Sequence, residues 1–185
     1  MPSTPAPLRP ALAALAAAPS SVSIRKLWKA LTPDERAEAI TAALADDENG
    51  WVKATTRTAV AGALKFRPQT VATWPRAKLV SEAVRLPLDD VQLLSSYLID
   101  LHLGHRREMM AAFLDELGIP NENGRIDSET TEVEPQEGAT VRRAADVTVA
   151  KFPEDQVVTY FLTLLLQDGA VWSELTEWLQ ARATA

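Results

Sequence analysis

Apolar positions recur along most of this chain at steps of three and four residues, the spacing of one helix face. Val91, Leu94, Tyr97, Leu98 and Leu101 form one such stripe, and Met109, Met110, Phe113 and Leu117 form another. Gly118, followed two residues later by Pro120, is an ordinary helix stop. Pro87 to Gly118 therefore reads as a helical hairpin, with its turn at Gly104. Thr32-Pro33-Asp34-Glu35 is a helix start: a threonine cap, proline at the first helical position, and glutamate three residues after the cap. The helix it opens is expected to run to about Ala45 and to bury Ala39, Ile40, Ala43 and Leu44.

Asp46-Asp47-Glu48-Asn49-Gly50 reads as a turn, and a helix from Trp51 to about Leu64 follows. Pro68 and Pro75 bracket a short segment, and another helix is expected from Pro75 to Leu86. Further helices are expected over 139–152, 153–167 and 171–182, with weaker ones at 8–18 and 24–31. No stretch alternates with period two long enough to make a strand. The expected fold is all-α: an irregular helical bundle or short α-solenoid of about three helical hairpins, roughly eight to nine helices.

The three hairpins share a pattern. Pro33-Asp34-Glu35, Pro87-Leu88-Asp89-Asp90 and Pro153-Glu154-Asp155 place acids at helix starts, where the helix dipole favours them. From the first acid to the next glycine, Gly50, Gly104 or Gly169, the distances are 16, 15 and 15 residues. The hairpins themselves lie 55 and 65 residues apart, so the array is not regular. Residues 1–22 read as a loosely ordered Pro/Ala-rich segment. Residues 23–185 read as a single all-α domain with an acidic loop at 119–138.

Composition narrows the function classes. At 185 residues the chain can bury a core without a metal or disulfide staple, and it has no cysteine. That excludes a thiolate nucleophile and a cysteine-ligated metal. The apolar run Val157–Leu166 is too short to span a bilayer, which takes ~20 residues. The apolar Ala11–Ala18 run after Arg9 is read as an N-terminal helix of a cytoplasmic protein, not a secretory leader. Net charge is −6 but unevenly placed. Residues 1–87 carry a net of +5 and residues 88–185 a net of −11. Such a division suits an anionic partner, contact between copies, or attraction within one fold.

Three patterns are candidates for chemistry. In Ala61–Trp74, AGALKFRPQTVATW, a helix with Ala61 and Leu64 leads into a turn at Lys65-Phe66-Arg67, and Pro68 opens a second short helix. This resembles the helix-turn-helix of bacterial DNA-binding domains, whose second helix enters the major groove. The resemblance implies that Gln69, Thr70 and Thr73 face bases while Lys65, Arg67 and Arg76 hold phosphates. Residues 51–85 carry seven basic residues against Glu82 alone. A nucleic-acid-binding segment at 52–78 is thus one reading.

His102, His105 and Glu108, with Asp100 nearby, are spaced to share one side of a helix and are the candidate metal ligands. His102 and His105 are the only two histidines in the chain, so structural zinc is not expected. Asn121-Glu122-Asn123-Gly124-Arg125-Ile126-Asp127 resembles the middle of an EF-hand calcium loop, but without the terminal glutamate; an Asn-Gly turn is the simpler reading. No Ser-His-Asp order, phosphate-cradling glycine loop or catalytic carboxylate pair is present. The sequence therefore points away from an enzyme and from any cofactor or membrane partner. It points to a helical protein–protein interaction or scaffold module acting on another protein or a second copy of itself. The DNA-binding segment is the alternative. Trp28, Trp51, Trp74, Trp172 and Trp178 are the expected core or anchor residues.

Overall fold

A computed structural model describes residues 7–48, 50–127 and 129–184. Over these residues the protein is all-α, with no strand. In chain order the helices are α1 (Pro10–Ala17), α2 (Ile24–Ala30), α3 (Pro33–Ala43), α4 (Trp51–Leu64), α5 (Pro68–Ala72), α6 (Arg76–Arg85), α7 (Val91–His105), α8 (Arg107–Glu116), α9 (Gly138–Lys151), α10 (Glu154–Gln167) and α11 (Leu175–Ala183). That is eleven, more than the eight to nine expected. The weaker helices expected at 8–18 and 24–31 both form, as α1 and α2, and the short helix opened by Pro68 forms as the five-residue α5.

The chain forms two compact units. One is Leu31–His105 and the other consists of the described residues on either side of it. The first contains α3 to α7. The Thr32 hydroxyl accepts from the Glu35 amide at 3.1 Å, and the Glu35 carboxylate accepts from the Thr32 amide at 2.9 Å. The capping box is thus closed in both directions, satisfying two N–H groups that the helix cannot. α3 buries Ala39, Ile40 and Ala43 against α7 and α6. The small residues let α3 and α7 approach closely. A Cβ on Gly104 would lie 2.9 Å from the Cβ of Ala42.

Gly104 is accordingly inside α7 and is not the turn the sequence suggested. The break comes two residues later, at Arg106, where one unit gives way to the other. α4 begins under the Asp47 carboxylate, which accepts from the amides of Val52 and Lys53 at 3.1 and 2.8 Å. One turn on, the buried Thr56 hydroxyl bonds the Val52 carbonyl and the Tyr97 hydroxyl, both at 2.6 Å. Burial pushes the Tyr97 hydroxyl far above the ordinary tyrosine range, so it serves this unit as a neutral group.

The second unit is centred on α10, where every residue from Val157 to Leu164 is buried. A helix buried all round is a core helix. Phe113 of α8 sits 4.7 Å from Phe161, ring centre to ring centre, and Phe161 meets Trp178 of α11 at 5.2 Å. The Trp178 indole N–H donates to Asp146 of α9 at 2.9 Å, giving the polar end of a buried tryptophan its partner. α1 buries Leu12 and Ala16 and packs on α11 and α10. Ahead of it, Arg9 donates to the Asp155 carboxylate, its amide doing so at 3.0 Å. α11 starts at Leu175 and not at Val171. Asp168 takes the amides of Ala170 and Val171 into a local turn, each at 3.1 Å, which competes with helix.

Candidate functional site

The Leu31–His105 unit carries a groove between α3 and α6 of about 720 Å³. Its walls come from two stripes of small side chains. Pro33, Ala37 and Thr41 repeat every four residues on α3, and Ala77 and Ser81 do the same on α6. Val80 and Val84 add apolar surface. Steps of four place side chains on one helix face. Because these residues are short, the two helix backbones bound an open trough in place of a ridge.

Two arginines hold the trough's sides together in opposite senses. Arg36 of α3 donates to the Val84 carbonyl at 3.3 Å, near the end of α6. Arg76, the first residue of α6, donates to the Thr41 carbonyl, near the end of α3. The helices therefore run antiparallel. Arg76 and Arg85 mark the two ends of the groove on the α6 side, and Asp34 is the one acid lining it. Sequence reasoning named only Arg76 among these residues as a binding residue. The signal that would have found the others is the four-residue stripe of small residues on two neighbouring helices.

The helix-turn-helix segment has the two helices expected. α4 ends in a left-handed turn at Lys65 (φ +57°), and Arg67 precedes α5. Lys65, Arg67, Gln69, Thr70, Thr73 and Arg76 are all exposed. However, α5 is only five residues long, and Val71 points into the unit's interior. The Thr73 hydroxyl donates to the Thr70 carbonyl at 2.9 Å. Phe66, 48% exposed, meets the edge of Trp74 at 5.8 Å, and the Lys78 ammonium lies 4.2 Å from the Trp74 ring centre. The second helix thus offers about one and a half turns, against the longer recognition helix of a groove-reading domain.

The metal candidates are dispersed. His102 is buried on α7, His105 is exposed at its end, and Glu108 is exposed on α8 of the other unit. Among the described residues no three His, Asp or Glu side chains are grouped to hold a metal. Asp100 is the notable acid of this region. Its carboxyl is raised to about 6, by partial burial first and then by the nearby charges of Asp46 and Asp47.

In the other unit, the calcium-like motif is a tight turn. Glu122 and Arg125 pair through their backbones around Asn123 and Gly124, both with positive φ. That is the Asn-Gly hairpin turn. Asn121 and Asp127 have oxygens already engaged, with the amide of Gly124 and with Glu129 and Thr130. These hydrogen bonds hold the Asp127 carboxyl below its ordinary range. The acids of the loop, Glu129, Glu132, Glu134 and Glu137, are exposed.

Of the five tryptophans, Trp28, Trp172 and Trp178 are buried, Trp74 is half-buried and Trp51 is 41% exposed. Among the described residues no helix is long and apolar enough to cross a membrane. No protein family, curated protein or solved structure matches this chain.

Proposed function

We propose that this chain is a non-enzymatic helical interaction module, and that its α3–α6 groove receives an acidic amphipathic helix of a partner protein. The observation that carries this reading is the groove itself. It has an apolar floor of Ala37, Val80 and Val84, with Arg76 and Arg85 at its two ends. An amphipathic helix lays apolar side chains at i, i+3 or i+4, and i+7 into such a trough. Acids flanking those positions would meet the two arginines. α6 has ten residues and so runs about 15 Å, which accommodates roughly three turns of a partner helix. An interface of that size falls below the standard ~1,200–2,000 Å², so affinity on the order of 10 μM is expected.

The test is an amide-resolved NMR titration with a designed helix bearing leucines at those spacings and glutamates elsewhere. Shifts confined to α3 and α6, lost in Ser81→Glu and Arg85→Glu, support the reading. A peptide at millimolar concentration that moves no α3 or α6 amide sinks it. Concentration-dependent sedimentation of the chain alone, abolished by the same variants, would name a second copy as the occupant in place of a partner protein.

A DNA-binding segment at 52–78 is the second reading. Its support is the exposed basic set Lys65, Arg67 and Arg76 beside Gln69, Thr70 and Thr73. Anisotropy with random duplex at low salt tests it, because the phosphate contribution is largest there. The five-residue α5 is the reason it ranks second.

A further inference from the structure

Beside the groove, and sharing Arg76 with it, the same unit holds a smaller and more enclosed cavity of about 210 Å³. It is lined by Leu44, Lys53, Arg57, Trp74, Arg76 and Leu79. Three of the six side chains are cations, and no carboxylate is among them. Lys53 and Arg57 stand one turn apart on α4, a like-charge spacing that weakens a helix. The nearby Asp47 carboxylate is spent on backbone amides at the start of α4. The Arg57 Nε is buried, and no acceptor among the described residues reaches it. A buried guanidinium N–H without an acceptor is costly and calls for an explanation.

We infer that this cavity is a binding site for a phosphoryl group. A phosphate monoester carries about −1.5 to −2 charges at neutral pH and presents three strong acceptor oxygens. That matches three cationic residues around one small cavity better than a single carboxylate does, and arginine forks suit its oxygens. An occupant would give the Arg57 Nε its missing acceptor and relieve the repulsion between Lys53, Arg57 and Arg76. The volume is about that of seven liquid waters and smaller than a typical ~300–1,000 Å³ ligand pocket. The site therefore takes the phosphoryl group with a short body against Trp74, not a whole nucleotide. The Trp74 ring, which also meets Phe66 and Lys78, forms one wall of the cavity. This assignment does not depend on what occupies the groove.

The phosphoryl group has two sources: a small free phosphate compound, or a phosphorylated side chain on the segment lying in the groove. Calorimetry and amide-resolved NMR at low chloride separate them, using inorganic phosphate, phenyl phosphate, and an acidic amphipathic peptide with and without one phosphoserine. The expected result is saturable shifts at Lys53, Arg57, Trp74 and Arg76 and a rise in melting temperature with phosphate. Arg57→Gln should cost ten- to a hundredfold in affinity and Lys53→Gln about tenfold, whereas Arg143→Gln on α9 should change nothing. Without ligand, Arg57→Gln should melt no lower than the parent, because it removes repulsion and an unpaired N–H. A merely structural arginine would instead leave a destabilised protein. Phosphopeptide binding more tightly than both inorganic phosphate and its unphosphorylated form assigns the group to a protein partner. Equal or better binding of the small phosphates assigns it to a free compound. Shifts that fail to saturate, or that Arg57→Gln and Arg143→Gln reduce alike, would reduce the effect to general screening and overturn the assignment.

Discussion

Replacing Asp100 with asparagine should stabilise the Leu31–His105 unit at neutral pH and leave it unchanged near pH 4. Asp100 sits on α7, half-buried, within reach of the Asp46 and Asp47 charges, and its carboxyl is raised to about 6. In the unfolded chain it titrates near the ordinary aspartate value of about 3.9. Between those two values the folded state holds a proton that the unfolded state has lost. Stability attached to this group is therefore full below pH ~4, falls as pH rises through ~6, and is flat above. A shift of about two units corresponds to an upper bound near 3 kcal/mol. Half exposure and solvent screening reduce this to about 1 kcal/mol. Asp100→Asn keeps the size and removes the charge, so it should recover about that amount at pH 7.5. With a urea slope of ~1–3 kcal/mol/M, the midpoint should move up by roughly 0.3–1 M. The assay is urea unfolding of parent and variant at half-unit steps from pH 4 to 8, with parallel transitions checked by fluorescence and circular dichroism. A variant that is less stable at pH 7.5, or whose difference from the parent is the same at every pH, would refute the reasoning.

Gly104→Ala should destabilise by about 1 kcal/mol although alanine favours helix, because its Cβ would fall 2.9 Å from the Ala42 Cβ. The double variant with Ala42→Gly should recover part of that loss, and a double-mutant cycle in chemical denaturation reads the coupling. Gly124→Ala should cost about 2 kcal/mol or more, since φ is +83° and the new Cβ would meet the Arg107 carbonyl at 2.7 Å and the Met110 Cβ at 2.8 Å. Thermal melts and amide exchange over α8 check that loss. Thr32→Ala opens the capping box and should cost about 1 kcal/mol, with faster amide exchange confined to the first turn of α3.

Much of the fold was legible because its signals are local. The cap at Thr32, the acidic turn ahead of α4 and the prolines ahead of α6 and α10 depend on neighbouring residues only. Those helices lie within a residue or two of where the pattern put them. The turn at Gly104 was misplaced for a physical reason. A glycine that ends a helix and a glycine that lets another helix approach look identical in sequence, and only Ala42 of α3 distinguishes them. Trp172 was expected as a core or anchor residue within the 171–182 helix and is buried, but in turns ahead of α11, because Asp168 captured the amides of Ala170 and Val171.

The candidate site was less legible. The basic count over residues 51–85 was visible as composition. The groove and the cavity were not, because each joins residues more than 20 apart: Ala37 with Val80, and Lys53 with Arg76. By itself the sequence determined the helical class, the caps and the uneven charge, since hydrogen bonding and amphipathic period act over a few residues. Only the tertiary structure decided which small-residue stripes face each other across a trough. It also decided which cationic residues line one cavity with no carboxylate in its lining, because packing of distant helices sets that grouping.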